Sequence, residues 1–172
     1  MTTEIELVTI FLNMLENEAF RKKFIDTYCL VAGSVFEPER CKEIITRMAE
    51  RTYSTLRYEG QDPYSTANPM INSLSTRQQT LINALKNYWR FYLSGVEEQN
   101  VKISSNINEA RITLNDMIVP TNKFDGSLFG DITLKASAPA NYKFIGWKGL
   151  SNNVAKEDVI FDKNSEWSYY DQ

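Results

Sequence analysis

The chain has 172 residues and a formal net charge of −3, so it lacks the basic surface that nucleic-acid binding requires. It contains no histidine and two cysteines, which excludes Ser-His-Asp and Cys-His catalysis as well as zinc sites made of histidine or of four thiolates. No uninterrupted apolar run approaches the ~20 residues that a membrane helix needs, so membrane insertion is not expected.

The two ends of the sequence bear on its cellular location. The first ten residues, MTTEIELVTI, carry acids and no positively charged region, so they are not a secretory signal peptide. This leaves a cytosolic protein, or an excised piece of a larger protein whose export signal lies upstream. The aromatic final residues, 167–172, favour the excised piece.

The first half of the chain has the apolar spacing of amphipathic helices. A first helix is predicted over residues 3–15, and Asn17 is a plausible N-cap for a second helix that extends to about Val35. Pro38 suits the first turn of a third helix, because its missing N–H costs little there, and Gly60 ends that helix.

A connecting loop is predicted over residues 60–69, with a short helix near Met70. Ser75 and Gln78 match the capping box S-x-x-Q and predict a fourth helix that closes at Gly95. Short connections between amphipathic helices predict an antiparallel helical bundle of about four helices over residues 1–97. The third and fourth helices are expected to bury these apolar positions: Cys41, Ile44, Ile45, Met48, Ala49, Thr52, Leu56, Leu81, Ile82, Leu85, Trp89 and Tyr92.

The second half, residues 98–172, changes to alternating and short β-rich runs, so the fold class is α+β. A small antiparallel β-module of four to six strands is predicted, β-sandwich-like and with a core separate from that of the helices. Asn115-Asp116 and Asp125-Gly126 are predicted turns. Strands are expected near these residue ranges: 101–104, 111–115, 117–119, 132–138, 142–147 and 159–161.

The aromatic run ANYKFIGWKG, which ends at residue 149, has two interpretations. In a strand, Tyr142 and Phe144 face one side while Ile145 and Trp147 face the other, so both sides carry bulky apolar groups. Large apolar side chains are mostly buried, which favours the core of the β-module. The alternative is a ligand platform formed by exposed Tyr142, Phe144 and Trp147.

The remaining polar candidates also have two interpretations each. Cys29 and Cys41 lie at equal distances from the presumed turn at Val35, so a disulfide between them is geometrically feasible, but each also fits the apolar stripe of its helix as a buried thiol. Asp125 and Asp131 flank a glycine-containing loop, but the segment lacks the ligand density of a calcium loop, so a turn is favoured there. No residue is assigned to catalysis, to a cofactor or to a metal.

Two stretches together resemble parts of a known protein family. FLNMLENEAFRKKFIDTYCLVAGSVFEPERCKEIITRMAERT, residues 11–52, resembles the helical segment near the C-terminal end of the spore-coat protein H (CotH) kinase-like domain. ARITLNDMIVPTNKFDGSLFGDITLKASAPANYKFIGWKG, residues 110–149, resembles the small β-module that often follows this domain in bacterial envelope proteins. The helical pattern is matched by Asn17, Phe20, Arg21, Phe24, Phe36, Pro38, Glu39 and Arg40.

The β-module pattern is matched less completely. Asn141 stands where the pattern has glycine, and Leu128 stands where it has tyrosine. Residues 165–171 look like the linker that leads from such a module into a further domain.

The resemblance implies a function outside this chain. Family members resemble atypical protein kinases, whose residues for ATP and divalent metal lie in lobes upstream of the helical segment, so no catalytic residue is carried over. The chain is then a non-catalytic C-terminal fragment of a secreted or surface bacterial protein, located in the cell envelope or outside the cell. Its helical half supports the upstream kinase-like lobes, and its β-half is a spacer or interaction module.

A different class of function is an adhesion module. In that reading the exposed aromatics of the β-half, Tyr142, Phe144 and Trp147, recognise a glycan or a surface protein.

Overall fold

The computed structural model describes residues 2–107 and 109–148, which form an α+β fold with helices first and antiparallel sheets second, as predicted. A π-helical turn, Val31–Val35, and a 3₁₀ turn, Trp89–Phe91, interrupt the helical half. The α-helices in this part of the chain are α1 (Thr2–Leu15), α2 (Glu18–Leu30), α3 (Pro38–Tyr58), α4 (Tyr64–Ser75) and α5 (Arg77–Asn87). The strands are β1 (Glu98–Ser104), β2 (Arg111–Leu114), β3 (Met117–Ile118), β4 (Lys123–Phe129) and β5 (Leu134–Ser137).

Local capping signals define the starts of α2 and α3. The Asn17 side chain accepts a hydrogen bond from the Phe20 N–H at 3.0 Å, which confirms the predicted N-cap. Before α3, the Glu37 carboxylate accepts hydrogen bonds from the N–H groups of Glu39 and Arg40, and Pro38 occupies the first turn as expected. Side-chain oxygens therefore satisfy backbone donors that each helix leaves unpaired.

The strands pair in two small antiparallel sheets. β1 pairs with β4, and β2 lies between β3 and β5. Asn115 and Asp116 have φ of 46° and 61°, so the predicted turn is confirmed as a two-residue hairpin loop between β2 and β3. Asn115 also accepts a hydrogen bond from the Thr133 N–H at 2.8 Å, which ties the approach to β5 to this hairpin.

One hydrophobic core spans both halves of the chain, so the expectation of separate helical and β cores is wrong. α2 and the π-helical turn pack against β4. The structure therefore does not confirm a helical bundle, because a strand occupies the surface that a further helix would cover. The buried core side chains, from helices and strands alike, include Leu15, Ile25, Leu30, Ile82, Leu85, Phe91, Ile103, Ile112, Leu114, Phe124 and Leu128.

Two predicted features of the segment between α3 and Gly95 are wrong. Residues 64–69 are not loop but belong to α4, and Pro69 lies inside that helix. The start of α4 is stabilised because Asp62 accepts a hydrogen bond from the Tyr64 N–H at 3.1 Å. Ser75 is the last residue of α4 rather than a cap, and the following helix ends at Asn87, well before Gly95.

The predicted turn at Asp125-Gly126 is also wrong, because both residues lie within β4. A Cβ atom at Gly126 would lie 3.0 Å from the Gly33 Cα, and one at Gly33 would lie less than 3.0 Å from three atoms of the Phe124 ring. The Gln78 side chain donates a hydrogen bond to the Asp125 carbonyl at the same crossing. The glycine therefore allows a close crossing of strand and helix, not a chain reversal.

We expect Gly33→Ala to destabilise the protein by about 1–3 kcal/mol, because the added methyl group overpacks the contact with Phe124. A loss of stability would point to the close crossing, since replacing a helical glycine by alanine ordinarily stabilises a protein. Urea unfolding monitored by circular dichroism measures the change. Gly60→Asn is the control: Gly60 has φ of 77° with no atom near its would-be Cβ, so asparagine should change stability by less than about 0.5 kcal/mol. A Gly33→Ala protein as stable as the parent would contradict the close crossing.

Candidate functional site

The aromatic run follows β5 and does not form the predicted strand. Residues 138–148 carry no helix or strand; the Tyr142 N–H bonds to the Pro139 carbonyl at 3.1 Å in a turn. Asn141 has φ of 70° and Gly146 has φ of 137°, values that a strand does not accommodate. Proline also supplies no N–H to a sheet ladder, so the segment leaves the sheet at this point.

Tyr142 is 57% exposed and Trp147 is 37% exposed, so the expected burial of both side chains in a core is wrong. Phe144 is half-buried and meets Trp147 edge to face, with ring centroids 5.5 Å apart and planes at 68°. The structure thus brings Phe144 and Trp147 together at the surface. Such a pair can offer aromatic faces to a ligand.

Cys29 and Cys41 are both free, buried thiols. Burial, reinforced by the nearby carboxylates of Asp26 and Glu98, raises the pKa of Cys29 to about 12. Burial also raises the pKa of Cys41, whose Sγ lies 3.6 Å from the Val35 carbonyl oxygen. Because the thiolate is the nucleophile, the raised pKa lowers the reactivity of both thiols in the folded protein.

A second aromatic cluster lies just after α5. The 3₁₀ turn and the left-handed conformation of Tyr92, at φ 53°, bury Phe91 and expose Trp89 and Tyr92, whose rings lie 6.4 Å apart at 83°. The guanidinium groups of Arg90 and Arg21 lie 4.7 Å from the ring centres of Trp89 and Tyr92, respectively.

Polar contacts fix both arginines beside the end of α1. Arg21 donates a hydrogen bond to the Leu15 carbonyl at 2.7 Å, and Arg90 donates one to the Glu16 carboxylate at 2.9 Å. The sequence predicts Trp89 and Tyr92 on the buried stripe of a helix, which is wrong. Both continue the helical spacing of α5, so periodicity gives no sign that the helix has ended.

An aliphatic stripe on α1 is the third exposed apolar feature. Leu7, Ile10 and Met14 follow helical spacing along one face and are 64%, 55% and 44% exposed, respectively. They border the face through which Phe11 and Leu15 join the core. The apolar spacing of the sequence places Leu7, Val8 and Met14 on the stripe of this helix that should be buried, and all three are exposed.

The carboxylates of the β-half do not assemble a cation site in the described part of the chain. Asp125 pairs with Lys102 at 2.6 Å across β1 and β4, and Asp131 is exposed after β4. Within residues 2–107 and 109–148, no three potential metal-ligating side chains cluster. None of the helices described there is long and apolar enough to cross a membrane.

Comparison of the chain with protein-family models, with curated proteins and with solved structures gives no match. Its candidate sites are therefore argued from the contacts and exposures described above.

We expect two free thiols when the protein is titrated in guanidinium without reductant, and Cys29 to be protected in the native state. In a Cys41→Ser protein at pH 8, the raised pKa alone should slow the reaction of Cys29 with Ellman's reagent on the order of 1,000-fold relative to an ordinary thiol. Unfolding should restore the ordinary rate. Fewer than two thiols in guanidinium would indicate a disulfide, and rapid native labelling would contradict the burial of Cys29.

Proposed function

We propose that this chain is a non-catalytic support and interaction module of a larger CotH kinase-like protein in the bacterial cell envelope or outside the cell. The observation that carries the proposal is the exposed stripe of Leu7, Ile10 and Met14 on α1. Contiguous exposed apolar side chains are a mark of protein–protein contact. The upstream kinase-like lobes of the same polypeptide are the proposed partner, and they would hold any ATP and divalent metal.

The energetics of α1 support such a contact. Each of the three side chains is about half exposed, so covering it stabilises the contact by about 1 kcal/mol. α1 is anchored on its other side by Phe11 and Leu15, which pack into the shared core. A partner seated on the stripe would therefore rest on a helix that is already fixed in place.

The shared core is consistent with separate roles for the helical half and the β-half. Because β4 packs on α2 and the π-helical turn, the β-half shares a core with the helical half and is fixed against it by direct packing. Such direct packing suits a spacer that sets the distance between the upstream kinase-like lobes and a further domain after the β-half. This is the role proposed for the β-half.

The test is a triple variant, Leu7→Gln, Ile10→Gln and Met14→Gln. The coding sequence that precedes residue 1 should encode kinase-like lobes with a signal peptide, and these lobes, produced separately, should bind the parent chain in light-scattering measurements. The variant should lose this binding, while its own unfolding free energy changes little because the replaced side chains are exposed and glutamine is a good helix former. Phe11→Gln is the matched control, expected to lower stability through the core.

Three outcomes would overturn this proposal. The preceding sequence could encode no such lobes, or the triple variant could bind them as well as the parent does. Alternatively, the purified chain could turn over ATP at a rate that persists through rigorous removal of contaminating enzymes.

The exposed aromatics Tyr142, Phe144 and Trp147 favour a second candidate, a glycan- or protein-binding adhesion module. Trp147 and Tyr142 are accessible, and the edge-to-face contact with Phe144 holds the Trp147 ring in place. Aromatic rings held this way are suited to stacking against sugar rings or apolar protein side chains.

We expect iodide to quench Trp147 strongly in a protein in which Trp89 and Trp167 are replaced by phenylalanine. If the adhesion function is right, a glycan array should give hits whose addition protects Trp147 from iodide, and Tyr142→Ala should weaken these hits. Weak quenching would contradict the exposure of Trp147. A glycan array without hits would contradict glycan binding by this module.

A further inference from the structure

An open apolar groove runs between α3 and α4, on a different part of the helical half from the α1 stripe. Its volume is about 560 Å³, within the range of ligand-binding clefts. Ala49 and Ala67 are each 5% exposed, whereas Met48 and Met70 are 62% and 49% exposed. Small residues therefore form the floor of the groove and methionines form its rim.

The chemistry of the rim suits a peptide partner. Methionine is flexible and polarisable, so a methionine-lined surface adapts to apolar side chains of different shapes. Pro69 has no N–H, so the Ser65 carbonyl, whose residue also lines the groove, lacks the usual intrahelical donor. The groove thus presents an adaptable apolar surface.

A smaller cleft of about 370 Å³ adjoins the groove, and Asp62 lines both. Its other walls are Glu50, Tyr53 and Tyr64. The two tyrosine rings lie 6.0 Å apart and are inclined at 53°. Two aromatic faces beside two carboxylates form an environment that attracts an organic cation.

The two carboxylates of the cleft are not neutralised by the protein. Among the ion pairs of the described residues, neither Glu50 nor Asp62 takes part. The Asp62 carboxylate accepts a hydrogen bond from the Tyr64 N–H, and the Asp62 backbone carbonyl accepts bonds from the N–H and the hydroxyl of Ser65. The Arg57 guanidinium lies 5.9 Å from the Tyr53 ring centre. Two carboxylates therefore line the cleft without forming an ion pair to any side chain of the described residues.

We propose that the α3–α4 groove binds an amphipathic helix of a partner protein, which inserts apolar side chains between Met48 and Met70 and places a lysine or arginine in the cleft of Glu50, Tyr53, Asp62 and Tyr64. An open groove between two helices accommodates apolar residues spaced i and i+4 on a third helix. The adjoining acidic cleft favours a helix that carries a positive charge at one end, and the position of that charge fixes the direction of the helix in the groove. This site is independent of the α1 contact proposed above.

The test uses two fluorescein-labelled peptides of about 18 residues, roughly five helical turns. Both carry leucine at i, i+3, i+4 and i+7; one has lysine on its polar face, and the other has glutamate. Fluorescence anisotropy measures binding, and amide chemical shifts of the isotope-labelled full chain locate it. We expect the lysine peptide to bind and the glutamate peptide not to bind, with shifts concentrated in α3 and α4.

Two variants separate this site from general attraction to a chain of negative charge. Glu50→Gln with Asp62→Asn should weaken binding of the lysine peptide tenfold or more, and Met48→Lys should abolish it. Glu18→Gln with Asp131→Asn removes the same two charges from exposed positions elsewhere and should leave binding unchanged. Asp62→Asn keeps a side-chain oxygen that can accept the bond from the Tyr64 N–H, and the other replaced side chains are exposed. An unchanged thermal unfolding midpoint checks that each variant is intact.

Equal weakening by the two double variants would overturn the proposal, because binding would then follow net charge alone. Shifts that map to α1 would overturn it, as would failure of the lysine peptide to bind. Concentration-dependent dimerisation that Met48→Lys removes would assign the groove to a second copy of this chain and would also overturn it.

Discussion

The crossing of β4 over the π-helical turn is the contact on which the rest of the structure depends. Gly33 and Gly126 approach so closely that a Cβ on either would meet the other element, and the Phe124 ring fills the space beside Gly33. The Gln78 side chain bonds to the backbone of β4 at the same place, so α5 joins the crossing. The close approach of Gly33 and Gly126 and the hydrogen bond from Gln78 therefore join the β-half to the helical half.

This crossing explains which surfaces are left open. Because β4 covers α2 and the π-helical turn, the helices do not close into a bundle around a core of their own. α3 packs against α4, and the far side of that pair keeps Met48 and Met70 in solvent. The groove residues Met48, Ala49, Ala67 and Met70 therefore lie outside the core that the crossing unites.

The sequence predicted the elements whose signals are local. The cap at Asn17, the start of α3 at Pro38 and the hairpin at Asn115-Asp116 depend on residues within a few positions, and each was found. Asp125-Gly126 was misread as a turn because its glycine serves a contact with Gly33, far away in the sequence. The helix expected near Met70 begins earlier, at Tyr64, for a related reason: Pro69 argues against a helix locally, while packing against α3 stabilises one.

Periodicity also could not distinguish a face that is covered from one that is open. Trp89, Met48 and Trp147 each fit an apolar stripe, and each is exposed because no neighbouring element of the described chain covers it. The resulting surfaces differ in chemistry. The α1 stripe is aliphatic, the α3–α4 groove is apolar with an acidic end, and the segment after β5 is aromatic. Surfaces of such different composition are suited to different ligands rather than to a single extended interface.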